Sequence, residues 1–269
     1  MEFKTYYISP EIKLSNNNNK TFRTEVLFEH HVLVWLMAGT SKIIQAGVSY
    51  SFQPGDIFLL PRNRVTTVLN TPGDLSHKAV AMLLSVHQLR DYYDNQPFAR
   101  LMTRTANKVY HFTGHPLLES VMSSLDPYFD LREELPAQLA TLKIKEAISI
   151  IRMLEPQVDG ILTNFDTPGK TDLTKFMETH FMFNLPLEKF GYLTGRSLST
   201  FNRDFRKTFN ATPQKWLTRR RLELAYHQIA VYKRKPVDVY LEAGFEDLSH
   251  FSFAFKKLFG YPPTSFPRD

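Results

Sequence analysis

Two stretches, LSTFNRDFRKTFNATP at 198–213 and LSHFSFAFKKLFGYPP at 248–263, repeat each other at a distance of fifty residues. The shared positions are Leu198/Leu248, Ser199/Ser249, Phe201/Phe251, Phe205/Phe255, Lys207/Lys257, Phe209/Phe259 and Pro213/Pro263. In each copy the leucine and the three phenylalanines fall at i, i+3, i+7 and i+11, which is one face of an α-helix. The opposite face carries Arg196, Ser199, Arg203, Arg206 and Lys207 in the first copy. In the second it carries Glu246, Ser249, Phe253, Lys256 and Lys257. A kept core face with an altered outer face predicts two equivalent helices that present different surfaces.

Each copy follows a short helical segment closed by glycine, LEKFGYLT before Gly195 and VDVYLEA before Gly244. Short helix, glycine turn and second helix is the sequence form of a helix-turn-helix. The segment PQKWLTRRRLELAYHQIA (213–230) reads as a continuous helix joining the two units. Helices are expected over 172–183, 187–194, 197–209, 213–230, 237–243 and 248–259. Such a unit lays its second helix in the major groove, where arginine meets guanine O6/N7 and lysine or arginine meets phosphate. The base-facing candidates are Arg196, Ser199, Thr200, Asn202 and Arg203 in the first helix, and Ser249, His250 and Phe253 in the second. The phosphate candidates are Arg206, Lys207, Lys256 and Lys257. The plainer alternative is a helical domain whose repeat serves packing alone.

Charge favours the first reading over the second without excluding a merely solvated basic surface. The net charge of +6 lies wholly in residues 171–269, which hold 16 Lys+Arg against 10 Asp+Glu, whereas 1–170 hold 17 of each. A basic third beside a neutral remainder points to a polyanionic partner. The absence of cysteine excludes disulfides and thiolate metal sites. No apolar run is long enough for a membrane span and no signal peptide is visible at MEFKTYYISP, so a cytoplasmic protein is expected.

Upstream, short β-rich runs separated by turns suggest a sandwich or barrel: 31–37, 41–52, 57–61, 65–69 and 78–84. Ala38-Gly39-Thr40 reads as a hairpin turn and Asn16–Asn19 as a polar loop. Leu117, Leu118, Val121, Met122 and Leu125 then mark one helix. Leu139, Leu142, Ile148, Ile151 and Leu154, with Ala147 beside them, mark another, running from Pro136 to about Leu154. Their apolar stripes suit either a cap on the β core or a second subunit. QVDGILTNFDTPGK (157–170) breaks the pattern, so the expected layout is a regulatory and dimerising domain at 1–155, a linker at 156–170 and a DNA-binding domain at 171–269.

The C-terminal third resembles the AraC/XylS transcription regulators. The residues that carry the likeness are Gly195, Ser197, Phe201, Arg203, Phe205, Pro213, Arg220, Arg221 and Ala225 in the first half. In the second they are Gly244, Phe245, Ser249, Phe251, Phe255, Lys256, Lys257, Phe259, Gly260 and Pro263. GDIFLLP (55–61) looks like the strand entry of a cupin-like domain, and the layout is similar to members without an obvious sugar pocket, including activators of type III secretion genes. The resemblance implies an α+β chain: an N-terminal cupin-like β-barrel or jelly roll with flanking helices, then an all-α domain with two helix-turn-helix units. It also implies a homodimer acting on double-stranded promoter DNA with RNA polymerase, more often as an activator. The signal would be a small molecule or a regulatory protein. Two positions depart from the family pattern. Tyr240 stands where a small residue is usual four positions before the turn glycine (Gly191 in the first unit), and Phe253 stands where the first helix has Arg203.

The rival reading is a cupin-type metal- or sugar-binding enzyme with an accessory helical domain. A cupin metal centre uses a His-x-His pair, whereas His30 and His31 are adjacent and a strand points them to opposite faces. No catalytic residue, metal ligand or cofactor is expected. Trp35, Tyr50, Phe58 and Arg62 are the candidate lining of an effector pocket, or else filling of the barrel core. Arg220 or Arg221 is expected to pair with an acid such as Glu223 or Glu242, and Trp216 and Tyr226 to anchor the linking helix.

Overall fold

The structure is a computed structural model in which residues 3–17, 21–45, 47–73, 76–94 and 108–265 are described. The chain divides into two compact units, Met1–Asp166 and Thr167–Asp269.

In the first unit the strands are β1 (Phe3–Ser9), β2 (Ile12–Asn17), β3 (Phe22–Leu27), β4 (His31–Ala38), β5 (Thr40–Gln45), β6 (Val48–Phe52), β7 (Ile57–Leu60), β8 (Val65–Thr71), β9 (His77–Leu84) and β10 (Tyr110–Phe112). Helices α1 (Val86–Asp94), α2 (Pro116–Ser123), α3 (Asp126–Leu131), α4 (Ala137–Leu154) and α5 (Asp159–Leu162) complete it. The strands form a six-stranded antiparallel sheet, β1-β2-β9-β4-β7-β10, and a four-stranded one, β3-β8-β5-β6.

The larger sheet is buried on both faces. Val32, Leu36, Phe58, Leu60 and Ala79 face Ile43 and Phe52 of the smaller sheet. Leu33, Ile57, Leu59, Val80 and Met82 face Leu118, Met122, Ile144, Ile148 and Ile151 of the helices. This double burial explains the unbroken apolar run of β7, which period-2 alternation alone does not produce. The helices therefore cap the sheet. The buried face of α4 is Ala140, Ile144, Ala147, Ile148 and Ile151, rotated from the expected stripe, so that Leu139 and Leu142 lie exposed.

Four expectations need correction here. Ala38-Gly39-Thr40 is no hairpin turn, because β4 and β5 belong to different sheets and the chain changes sheet at this corner. Gly39 takes φ +78°, and a Cβ there would lie 2.6 Å from the Thr71 carbonyl oxygen. The run 41–52 is two strands rather than one, with Gly47 at φ +79° between them. Asn16 and Asn17 belong to β2, while Asn18 and Asn19 fall outside the described residues. The expected linker also begins later. Residues 156–162 form a 3-10 turn and α5, with Val158, Ile161 and Leu162 in the core of the first unit.

The second unit is all helical: α6 (Leu173–His180), α7 (Leu187–Leu193), α8 (Leu198–Phe209), α9 (Pro213–Ala230), α10 (Pro236–Val239) and α11 (Leu248–Phe259). The helix expected at 237–243 is only one turn long. α9 keeps its expected bounds with Pro213 in its first turn, and α11 ends where the phenylalanine period and Gly260 put it.

Candidate nucleic-acid interface

The repeat becomes two helix-turn-helix units with matching detail. Ser197 caps α8 by accepting from the Thr200 amide, and Asp247 caps α11 by accepting from the His250 amide at 2.7 Å. Both helices end on a left-handed residue, Asn210 at φ 50° and Gly260 at φ 87°. Phe201, Phe205, Phe251 and Phe255 are all fully buried. The ring spacings nearly repeat, 5.5 Å for Phe201–Phe205 and 5.6 Å for Phe251–Phe255. From 201 to 210 and from 251 to 260 the order of buried, half-buried and exposed residues is the same at every position. The linking helix serves both cores. Trp216 packs on Phe205 and Phe209, and Tyr226 packs on Phe255 and Phe259.

The turns also correspond. The Arg196 amide donates to the Gly191 carbonyl (2.9 Å), and the Phe245 amide donates to the Tyr240 carbonyl (3.0 Å). Only glycine fits the two turn positions. Gly195 has φ +65° with Gly169 and Lys170 backbone atoms 2.5–2.7 Å from where a Cβ would be, and Gly244 has φ +85° with the Met182 carbonyl at 2.5 Å. Tyr240 is accommodated half-buried at the edge of the second core.

The outer faces hold the site candidates. Arg203 is 76% exposed, and Ser199, Arg206 and Lys207 are exposed beside it, with Thr200 and Asn202 half-buried. On α11, Ser249, His250, Lys256 and Lys257 are exposed and Phe253 is 69% exposed. That exposure distinguishes Phe253 from the other phenylalanines of its helix, none of which is exposed.

Arg196 is the exception. Its side chain is 7% exposed, and it donates to Asp204 (3.1 Å), to the Thr194 carbonyl (2.7 Å) and to the Thr171 carbonyl (3.1 Å). It is therefore withdrawn from the base-facing set and clamps the turn onto α8. Asp204, which sequence reasoning passed over, holds the centre of this cluster, with Lys170 at 3.8 Å and Arg203 at 3.5 Å. The hydrogen bond from Arg196, reinforced by Lys170 and Arg203, keeps the Asp204 carboxyl below the usual carboxylate range. The signal available in sequence was one acid on an otherwise basic helix face.

The arginine run divides its tasks. Arg219 and Arg220 pair with Glu223, and Arg220 also pairs with Glu178 and lies over the rings of Phe181 and Trp216. Arg221 is buried and donates to the main-chain carbonyls of Phe181, Gly244 and Phe183, while Glu242 pairs with Arg234. These cations hold the domain together.

In the first unit a cavity of about 390 Å³ lies between the sheets. Of the expected pocket residues only Phe58 lines it, stacked on Phe52 at 3.7 Å. Trp35 packs on the helical side of the larger sheet, Tyr50 on the inter-sheet core, and Arg62 donates to the carbonyls of Asn164 and Asp166. One polar node on the wall joins Ser41 to His77 (2.8 Å) and Asn70 (2.9 Å). Among the described residues no group of three or more His, Asp or Glu could hold a metal ion, and no helix is long and apolar enough to cross a membrane.

Comparison with known proteins finds likenesses to two stretches of the chain. Residues 31–156 match the family described as the ExsA N-terminal regulatory domain, and 193–269 match a helix-turn-helix domain. The HTH-type transcriptional regulator ExsA of Pseudomonas aeruginosa is 26% identical over 255 residues, 92% of this chain and 89% of that protein. The virulence regulon transcriptional activator VirF of Yersinia enterocolitica is 26% identical over 155 residues, 57% of each. Among solved structures, an apo ToxT variant from Vibrio cholerae aligns over 95% of this chain and 96% of its own, at 13% identity and a TM-score of 0.46. An N-terminal stretch matched to a regulatory domain, followed by paired helix-turn-helix units on one linking helix, is the arrangement of the AraC/XylS-type transcription regulators that this chain resembles.

Proposed function

We propose that the protein is a cytoplasmic transcription activator that binds promoter DNA through α8 and α11 and works with RNA polymerase. The observation that carries this reading is the repeated, capped helix whose buried face is conserved and whose outer face is basic in both copies. Activation is supported by relatives named as transcriptional activators, VirF and the RhaS proteins. In this reading Arg203, Ser199, Thr200 and Asn202 address base edges, Arg203 gripping guanine. Ser249, His250 and Phe253 address the second half of the site, and Arg206, Lys207, Lys256 and Lys257 meet phosphates. The domains follow the same reading, with residues 1–166 regulatory and 171–269 binding DNA.

The protein acts as a homodimer joined through α4. Leu139, Leu142 and Met153 are exposed on the side of that helix turned away from its own core. The regulatory signal enters through the first unit, as a small molecule in the inter-sheet cavity or as a partner protein on its surface.

Salt-dependent DNA binding by the full chain tests the central reading. Neutralising about four phosphates per protomer, about eight per dimer, gives a slope of about −7 in log K against log salt, so a roughly twofold rise in salt lowers affinity on the order of a hundredfold. A flat salt profile on promoter DNA contradicts the proposal.

A further inference from the structure

Between the two units, three outer-face positions change together. The first has Arg196, Arg203 and Asp204, and the corresponding residues of the second are Glu246, Phe253 and Ala254. In the first unit the three are physically connected. Buried Arg196 is fixed by the Thr194 and Thr171 carbonyls and holds Asp204 at 3.1 Å, and Asp204 stands 3.5 Å from Nε of Arg203. In the second unit none of these contacts can form. Glu246 instead accepts from the side-chain amide of Asn184 at 2.7 Å.

We propose that Asp204 is a positioning residue for DNA reading. Anchored by Arg196, it tethers the exposed guanidinium of Arg203 through Nε, so that the terminal nitrogens face outward as a paired donor for a guanine edge. The physical gain is pre-organisation. An exposed arginine has many rotamers, and each one frozen on binding opposes affinity. A tether to Nε removes part of that freedom while leaving the bidentate fork free for O6 and N7. An acidic residue on a DNA-facing helix would otherwise only repel phosphate. Arg196 and Lys170 offset that repulsion here. The inference makes the first unit the base-specific reader and gives the second, which lacks the whole set, a different mode of contact. It rests on the reading that Arg203 contacts a base.

The test is a double-mutant cycle on the full chain, with Arg203→Ala, Asp204→Ala and both together. Each variant is titrated against the preferred site and against the same site with its contacted guanine replaced. The wild type should discriminate about tenfold or more. Arg203→Ala should remove that ratio, and Asp204→Ala should reduce it severalfold with little loss on the replaced site. In the Arg203→Ala background, Asp204→Ala should change the ratio no further. Loss of affinity for both sites in equal measure, with the ratio kept, would mean that Asp204 is merely structural and would overturn the proposal. An unchanged ratio in Arg203→Ala would instead overturn the base-reading role itself.

Discussion

Arg221 offers a sharp test of how the second unit is held together. Its Nε donates to the Phe181 carbonyl at 2.9 Å, one terminal nitrogen to Phe183 at 2.6 Å and the other to Gly244 at 3.3 Å. It thereby ties α9 both to the segment between α6 and α7 and to the turn of the second helix-turn-helix. Arg221→Met keeps an unbranched stem of similar girth and removes every donor. A buried acceptor left unpaired costs about 1–3 kcal/mol. Two short bonds and one long one therefore set the loss at about 3 kcal/mol, after relief of guanidinium desolvation is allowed for. The chain has two tryptophans, and in a Trp35→Phe background the fluorescence of Trp216 reports on the second unit alone. With a urea m-value of about 1.5 kcal/mol/M, the unfolding midpoint should fall by about 2 M. A shift below about 0.3 M would show that the carbonyls find other donors, and the clamp would have to be abandoned.

Two further outcomes follow from burial. Phe255→Ala should destabilise the second unit by about 3–5 kcal/mol, whereas Phe253→Ala, on the neighbouring exposed face, should change stability by less than about 0.5 kcal/mol. Urea titration of the two variants side by side checks the contrast. In the first unit, burial, aided by Arg62 and His30, pushes the His31 imidazole down to about 3. Its folded pKa lies below the unfolded value, so its neutral form is fully compatible with folding above about pH 6.5. As pH falls below that, the unfolded chain takes up a proton that the folded chain refuses, and stability should drop by about 2 kcal/mol by pH 5. Replacing His31 with Gln should flatten this part of the pH–stability curve, and an unchanged slope would refute the assignment.

The helical unit was legible in sequence because its signals are local and repeated. The Phe201/Phe205/Phe209 period, the proline at Pro213 and the turn glycines each specify one structural feature, and the second copy specifies them again. The first unit was less legible for equally physical reasons. A corner between sheets at Gly39 and a hairpin turn place the same residue types in sequence, and only the Thr71 carbonyl on the far strand distinguishes them. On α4, Leu139 and Leu142 look like core by composition, and it is the six-stranded sheet that selects Ala140, Ile144 and Ile148 instead. Arg196 misled for a related reason. At the start of a basic helix it reads as a base contact, but its acceptors come from Thr171, far back in the chain, and from Asp204, two turns away. Neither relation is a helix-face spacing, so no periodic pattern reveals it.

The unequal contribution of the two recognition helices is the centre of this account, and a randomised-site selection with the full chain measures it directly. Wild type, Arg203→Ala and Phe253→Ala are selected from the same DNA pool. Arg203→Ala should lose about 1–3 kcal/mol on the wild-type site and relax preference at one or two base pairs. Phe253→Ala should keep the preferred sequence nearly intact, with a slight weakening where a thymine methyl is met. A selection in which Phe253→Ala loses more sequence preference than Arg203→Ala would contradict the account.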